Sequence, residues 1–174
     1  MTPVEQKAVL KTLTVIVDTR EQNTARARRR YENMGVPYIR SALSYGDYTW
    51  MATLPDGSTL APEHPPAVIE RKMNLDELAG CFTHSRARFE REFQRAADNN
   101  ARIYLLIENG SWGDLFQHNY RSRFSVNAFL ASITAFMIRY NANIIFCNAQ
   151  DSGRLIKEIL YRDLKERLER GDYG

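Results

Sequence analysis

Two kinds of hydrophobic pattern follow one another along the chain and predict the order of its elements. Residues 12–18 and 102–108 are short runs of β-branched and aliphatic side chains, which are typical of buried strands. Shorter runs of this kind predict strands over 38–43, 48–53, 67–71 and 143–148. Apolar residues at helical spacing predict helices over 24–35, from residue 74, and over 85–97, 125–140 and 152–170.

The order of these elements indicates the fold class. The strands before residue 74 follow closely on one another, with a turn at 55–58, and predict an antiparallel meander. After residue 74, helices and strands alternate. The sequence therefore predicts an α/β fold in which a mixed β-sheet is flanked by helices on both faces.

A chain of 174 residues fits one domain. We expect residues 1–11 to be an N-terminal extension and residues 12–174 to be a single domain that includes a C-terminal amphipathic helix. That helix has an apolar stripe that packs either on its own sheet or on a second chain, and we expect its first half to pack on the sheet. The stripe consists of Ile156, Leu160, Leu164 and Leu168.

Several classes of protein are disfavoured by composition. No apolar stretch approaches the length of a membrane span and no signal peptide is recognisable, so we expect a soluble intracellular protein of the cytoplasm, nucleoid or eukaryotic nucleus. Two cysteines and three scattered histidines provide neither a disulfide framework nor a zinc cluster. Any metal would be held by carboxylate oxygens, which favour Mg²⁺ or Mn²⁺.

The positive charge of the chain is concentrated in one segment. The formal net charge is +3, whereas residues 20–30 alone carry five arginines and one acid. Such a patch suits a phosphate-rich partner, although it is equally compatible with the solvated face of a helix. The arginines are Arg20, Arg26, Arg28, Arg29 and Arg30.

Three acids and one lysine are candidates for phosphodiester hydrolysis. Asp18, Asp47 and Glu70 stand at predicted strand ends or turns. Because side chains alternate along a strand, Glu70 and Lys72 point to the same side. Hydrolysis of a phosphodiester needs a cation that activates water and a positive charge beside the developing oxyanion. Lys72 is the only lysine between residues 12 and 156, which supports a specific role.

Three short motifs, with Asp76 after them, resemble the nuclease domain of the XPF family of structure-specific endonucleases. This family is a branch of the PD-(D/E)xK restriction-endonuclease-like superfamily. The motifs are Asp18-Thr19-Arg20-Glu21, Gly46-Asp47-Tyr48 and Glu70-Arg71-Lys72. The resemblance extends over roughly residues 12–160.

The resemblance implies roles for individual residues. Asp47 and Glu70 would be the principal metal ligands, with help from the carbonyl of Arg71 and from Asp18, and Lys72 would position or activate water. Further supporting residues of the catalytic site would be Arg20, Glu21, Arg71 and Asp76, and the residues expected to bind DNA are Arg26, Arg28, Arg29, Arg30, Arg86 and Arg88.

Some of these residues also have structural interpretations. Asp76 also fits a purely structural place in the first turn of a helix, since the helix dipole stabilises acids there. Arg20 and Glu21 also fit a surface ion pair, and Glu108 fits a structural role at the end of its strand.

The resemblance implies a Mg²⁺-dependent endonuclease of branched DNA, such as a flap, fork or junction, with Mn²⁺ as a substitute ion. It also implies a homodimer or a partner protein. Relatives commonly carry a tandem helix-hairpin-helix module after the nuclease domain, and this sequence has none, which weakens the expectation of a branched substrate. An alternative is a catalytically silent module that binds nucleic acid or a partner subunit. A third is an RNA or general DNA nuclease with the same chemistry.

Overall fold

One mixed sheet with helices on both sides is formed by residues 1–172, which the computed structural model describes. Its strands are β1 Thr14–Val17, β2 Tyr38–Arg40, β3 Tyr48–Thr53, β4 Thr59–Leu60, β5 Ala67–Lys72, β6 Arg102–Glu108 and β7 Asn143–Cys147. The helices are α1 Pro3–Leu10, α2 Ala25–Met34, α3 Leu75–Thr83, α4 Arg86–Asp98, α5 Trp112–Phe116, α6 Val126–Tyr140 and α7 Ser152–Arg170. The predicted fold class is confirmed.

The strand order is β2-β1-β3-β5-β6-β7, and β4 pairs with β3 outside this path. Strand β3 is antiparallel to both β1 and β5, whereas β5, β6 and β7 are parallel. The predicted meander is wrong at β2, which is parallel to β1 at the edge of the sheet. Helix α2 is the physical reason, because this crossover returns the chain to the starting end of β1 before β2 begins.

The sheet separates two hydrophobic cores. One core lies under α1, α2 and α7, and the other lies under the helices α3 to α6. Alternation along β5 places Val68 in the second core and Ile69 in the first. All four residues of the predicted stripe on α7 are buried in the first core. The first half of the helix therefore packs on its own sheet, as expected, and the stripe of the second half, which the sequence left open, does so too.

Local signals explain where α2 begins and ends. The side chain of Thr24 accepts a hydrogen bond from the amide of Ala27, and Gly35 ends the helix with a left-handed φ of 64°. Further along, α7 crosses α2 so closely at Gly153 that a Cβ there would collide with the carbonyl oxygen of Arg30. This contact fixes the position of α2 above the sheet.

The N-terminal residues before β1 form a helix. Helix α1 begins with a capping box between Thr2 and Glu5, and its Val9 is buried against the first core. The last two residues of the predicted domain, 173–174, lie outside the described residues. Within the described part of the chain, no helix has the length and apolar character needed to cross a membrane.

Candidate active site

Asp47 is fixed by the backbone of three neighbouring strands. It directly precedes β3, its amide donates to the carbonyl of Ile69 at 2.8 Å, and its own carbonyl accepts from the amide of Asp18 at 2.8 Å. The preceding Gly46 has a left-handed φ of 73°, and a Cβ there would lie 2.7 Å from the Cβ of Val68. Glycine therefore allows the close approach of the β3 and β5 backbones that brings Asp47 to the end of β5.

Glu70 and Lys72 form a buried ion pair on β5. The Lys72 Nζ lies 2.5 Å from Glu70 Oε1, and the two residues are only 8% and 4% exposed. Lys72 also lies over the ring of Phe89 on α4, with 5.1 Å between Nζ and the ring centroid. The second carboxylate oxygen of Glu70, Oε2, is buried and has no hydrogen-bond partner. An unpaired buried carboxylate oxygen is costly, and Oε2 remains free to accept a further partner.

Burial and neighbouring charges shift the titration of these groups. Burial raises the pKa of Asp47, against the opposing effect of Lys72. Burial likewise raises the pKa of Glu70, and the nearby Asp47 raises it further. Burial acts to lower the pKa of Lys72, but the charge of Glu70 outweighs burial and raises it. Lys72 therefore keeps its positive charge, and burial disfavours the charged form of both acids.

The carboxylate of Asp18 is directed to a different set of partners. Its Oδ1 accepts hydrogen bonds from the amide and the Nε of Arg20, both at 2.7 Å, and its Oδ2 accepts from the amide of Leu43 at 2.7 Å. Burial acts to raise the pKa of Asp18, but these donors outweigh it and lower the pKa. In this arrangement Asp18 orders the loop after β1 and the side chain of Arg20, which is 57% exposed.

Glu21 and Arg71 belong to a buried network on the opposite face of the sheet. Arg71 donates to Glu21 Oε1 at 2.9 Å and to Glu108 Oε2 at 3.0 Å. Arg30 donates to Glu108 Oε1 at 3.1 Å and to the hydroxyl of Tyr48 at 3.0 Å. We call these four charged residues, Glu21, Arg30, Arg71 and Glu108, the ion quartet.

The ion quartet bears on the expectations for two residues, Arg30 and Glu108. Arg30 was expected to bind DNA, yet it is only 6% exposed and its guanidinium is held by Glu108 and Tyr48. Glu108 fits the structural interpretation, since both of its carboxylate oxygens are paired. Arg71 also connects the two faces, because its amide donates to Asp47 Oδ2 at 2.8 Å.

The other predicted DNA-binding arginines lie on α2 and α4. Arg26, Arg28, Arg29 and Arg88 are exposed, and Arg86 is half-buried with a 2.9 Å hydrogen bond to Glu90. Arg26 on α2 contacts the residue that follows β5, with its Nη1 3.6 Å from the sulfur of Met73.

Asp76 stands in the first turn of α3, where it binds a distant loop rather than Lys72 or Glu70. Its Oδ1 accepts hydrogen bonds from the amides of Arg121 and Ser122, each at 2.8 Å. The interpretation as a simple helix-dipole partner therefore accounts for only part of its environment.

Glu92 on α4 is a site residue that sequence reasoning missed. Its Oε1 accepts from the amide of Gly46 at 3.1 Å and lies 3.7 Å from the Nη2 of Arg20. It also contributes negative charge near Glu70. The only sequence signal is its place three residues after the buried Phe89, which turns it towards the sheet.

The available donor atoms fit a hard cation that retains water. Among residues 1–172, no three His, Cys, Asp or Glu side chains are placed to hold one metal ion together. A Mg²⁺ site needs only one or two protein carboxylates, since this ion keeps several waters. The unpaired Oε2 of Glu70 beside Asp47 fits that requirement, whereas the oxygens of Asp18 are already bonded.

The chain was compared with protein families, with curated proteins and with solved structures. The family model of the ERCC4 domain matches residues 17–159. The solved structure of XPF from Aeropyrum pernix is similar in fold, with a TM-score of 0.61, 19% sequence identity and coverage of 86% of this chain and 61% of that one. Its complex with DNA is similar too, with a TM-score of 0.59, 21% identity and coverage of 88% and 65%. This chain thus spans less than two thirds of either structure. No curated protein matches the sequence.

Proposed function

The chain belongs to the ERCC4 domain family, and we propose that it is a metal-dependent DNA endonuclease that hydrolyses phosphodiester bonds. The observation that carries this proposal is the buried, unpaired carboxylate oxygen of Glu70, adjacent to Asp47 and to the ammonium of Lys72. A protein that only bound DNA would gain nothing from this costly arrangement.

Asp47 and Glu70 would hold the metal ion, Mg²⁺ or its substitute Mn²⁺, with the carbonyl of Arg71 as a predicted further ligand. A divalent ion supplies a polarised phosphoryl oxygen and a bound water of lowered pKa. Lys72 keeps its proton, so its role is to orient the attacking water and to stabilise the negative charge that develops on the phosphate. Glu92 and Gly46 hold the Asp47 turn in place.

DNA is the proposed substrate, and XPF from Aeropyrum pernix in complex with DNA supports it as a protein of similar fold. We propose branched DNA, that is a flap, fork or junction, as the preferred form. We also propose that the chain acts as a homodimer or with a partner protein, which sedimentation of the purified protein will test.

A substrate panel tests the proposed function. Purified protein is incubated with labelled single strand, duplex, flap, fork and four-way junction, with Mg²⁺ or with EDTA. We expect cleavage only with Mg²⁺, and a loss of about a thousandfold in Asp47→Asn and Lys72→Ala. The matched controls are Asp56→Asn in the exposed turn and Lys157→Ala on α7, which should cut at the normal rate.

Metal binding has a separate readout. The melting temperature of the wild type should rise with added MnCl₂, because an ion that binds only the folded state stabilises it, whereas Asp47→Asn should show a smaller rise. A protein that binds the panel but neither cuts it nor responds to Mn²⁺ would instead be the catalytically silent module.

A further inference from the structure

Loop 117–124, which connects α5 to α6, is an exposed segment with two arginines and no acid. Arg121 and Arg123 are both exposed, and the side chain of Arg121 is 89% accessible. None of the residues predicted to bind DNA lies in this loop. Its surplus of positive charge therefore has no role in the site described above.

Asp76 attaches the loop to the start of α3. Besides accepting hydrogen bonds from the amides of Arg121 and Ser122, it accepts one from the Nε of Arg121 at 3.4 Å. Asp76 lies four positions after Lys72, in the helix that follows the strand bearing Glu70. The loop is thereby bonded to the first turn of α3, which begins shortly after the end of β5 and the candidate active site.

The loop is also ordered internally. The hydroxyl of Tyr120 donates to the carbonyl of Phe124 at 2.8 Å, and the Nε2 of His118 lies 2.9 Å from the carbonyl of Ser122. The rings of Tyr120 and Phe124 pack against the buried Phe129, with centroid distances of 5.3 and 5.4 Å. Because the loop is already ordered, binding through its arginines would cost little further backbone entropy.

We propose that loop 117–124 is a phosphate-binding surface for the DNA strand that flanks the scissile bond, with Arg121 and Arg123 as the contacts and Asp76 as a positioning residue. This inference rests on the proposed function. Guanidinium groups suit phosphate oxygens because their donors match them in pairs. Arg121 uses its Nε for Asp76, and its high exposure leaves its two terminal nitrogens to the solvent and to a phosphate.

Salt dependence of binding tests the two arginines. Binding of a labelled fork is measured in EDTA over a range of salt concentrations, which separates it from cleavage. In Arg121→Ala/Arg123→Ala, the slope of log K against log salt should become shallower by about 2, since each lost phosphate contact removes about 0.9. The control Arg102→Ala/Arg170→Ala removes two exposed arginines from the start of β6 and the end of α7, and should keep the slope.

A second set of variants tests Asp76. In Asp76→Ala, hydrogen exchange at the amides of Arg121 and Ser122 should accelerate at least tenfold, and the salt slope should fall as in the arginine variant. Asp76→Asn keeps an oxygen that accepts these amides, so it should restore much of the protection and of the slope. A purely structural Asp76 would change the exchange rates without changing the slope.

The outcomes separate this inference from the proposed function. If the wild type cuts the fork and the double arginine variant keeps the wild-type slope, the inference is wrong while the proposed function stands. If the wild type does not cut the fork and the salt slope still falls in the double arginine variant, the loop binds DNA and the proposed function is wrong. Melting curves check folding, and Arg121→Gln/Arg123→Gln replaces the alanine variant if the latter is unstable.

Discussion

The two faces of β5 treat buried charge in opposite ways. On the face of α3 and α4, Glu70 pairs with Lys72 but keeps one buried oxygen without a partner. On the face of α2 and α7, the side chain of Arg71 enters the ion quartet, in which both oxygens of Glu108 are paired. Glu70 and Arg71, which are neighbours on one strand, thus belong to two different charge networks. The completed network positions the backbone, and the incomplete one is the place where we propose that hydrolysis occurs.

The largest effect on stability should follow from opening the ion quartet. Arg30→Ala removes the donor to Glu108 Oε1 and to Tyr48, and leaves buried acceptors unpaired. We expect the free energy of unfolding to fall by about 3 to 5 kcal/mol, measured by denaturation in urea. Arg29→Ala, an exposed neighbour on the same helix, should change it by less than about 0.5 kcal/mol. Equal losses in both variants would contradict a structural role for the network.

The opposite result is expected on the other face. Replacing Glu70 and Lys72 together by Leu and Met removes an incompletely paired ion pair and fills the space with apolar groups. The free energy of unfolding without metal should stay the same or rise by about 1 to 4 kcal/mol, while cleavage is lost. Glu70→Leu alone should destabilise, since it leaves the Lys72 ammonium buried and unpaired. A clear loss in the double variant would show that the pair is structural.

The smallest effect concerns Asp18, which lies on the active-site face but is fully bonded. Its native pKa is lowered, so its contribution is complete above the unfolded value of about 3.9 and is lost as the pH falls through the lower native value. As the pH falls below about 3.9, the wild type should therefore lose more stability than Asp18→Asn. If urea denaturation gives parallel pH profiles for the two proteins, the charge of Asp18 does not contribute to stability.

The sequence predicted β5 and the placement of its charges, because a strand period of two is enough to place Glu70 and Lys72 on one side. It did not separate Arg30 from its neighbours, since Arg28, Arg29 and Arg30 look alike as a charge run. The helical spacing of Ala27, Tyr31 and Met34 marks the buried face of α2, and Arg30 falls on that face. The spacing of these apolar residues was visible in the sequence, but the run of arginines is the more conspicuous pattern.

Other features depend on contacts between distant segments. The Gly46 amide reaches Glu92 across 46 positions, and Asp76 reaches Arg121 across 45. No local pattern encodes such pairs, because tertiary packing alone decides which polar groups meet. Helix α1 is different, since the Thr2 and Glu5 pair is a capping signal that the sequence displays.

The absence of a side chain at Gly153 affects more than the packing of α7 on α2, because it also affects the buried charges on the sheet. A Cβ at this position would collide with the carbonyl oxygen of Arg30, the residue whose guanidinium contacts Glu108 and Tyr48 on the sheet. A single methyl group at this position would lift α2 and draw that guanidinium away from its partners. The distance between α7 and α2 at Gly153 therefore controls how well the buried charges on the sheet are paired.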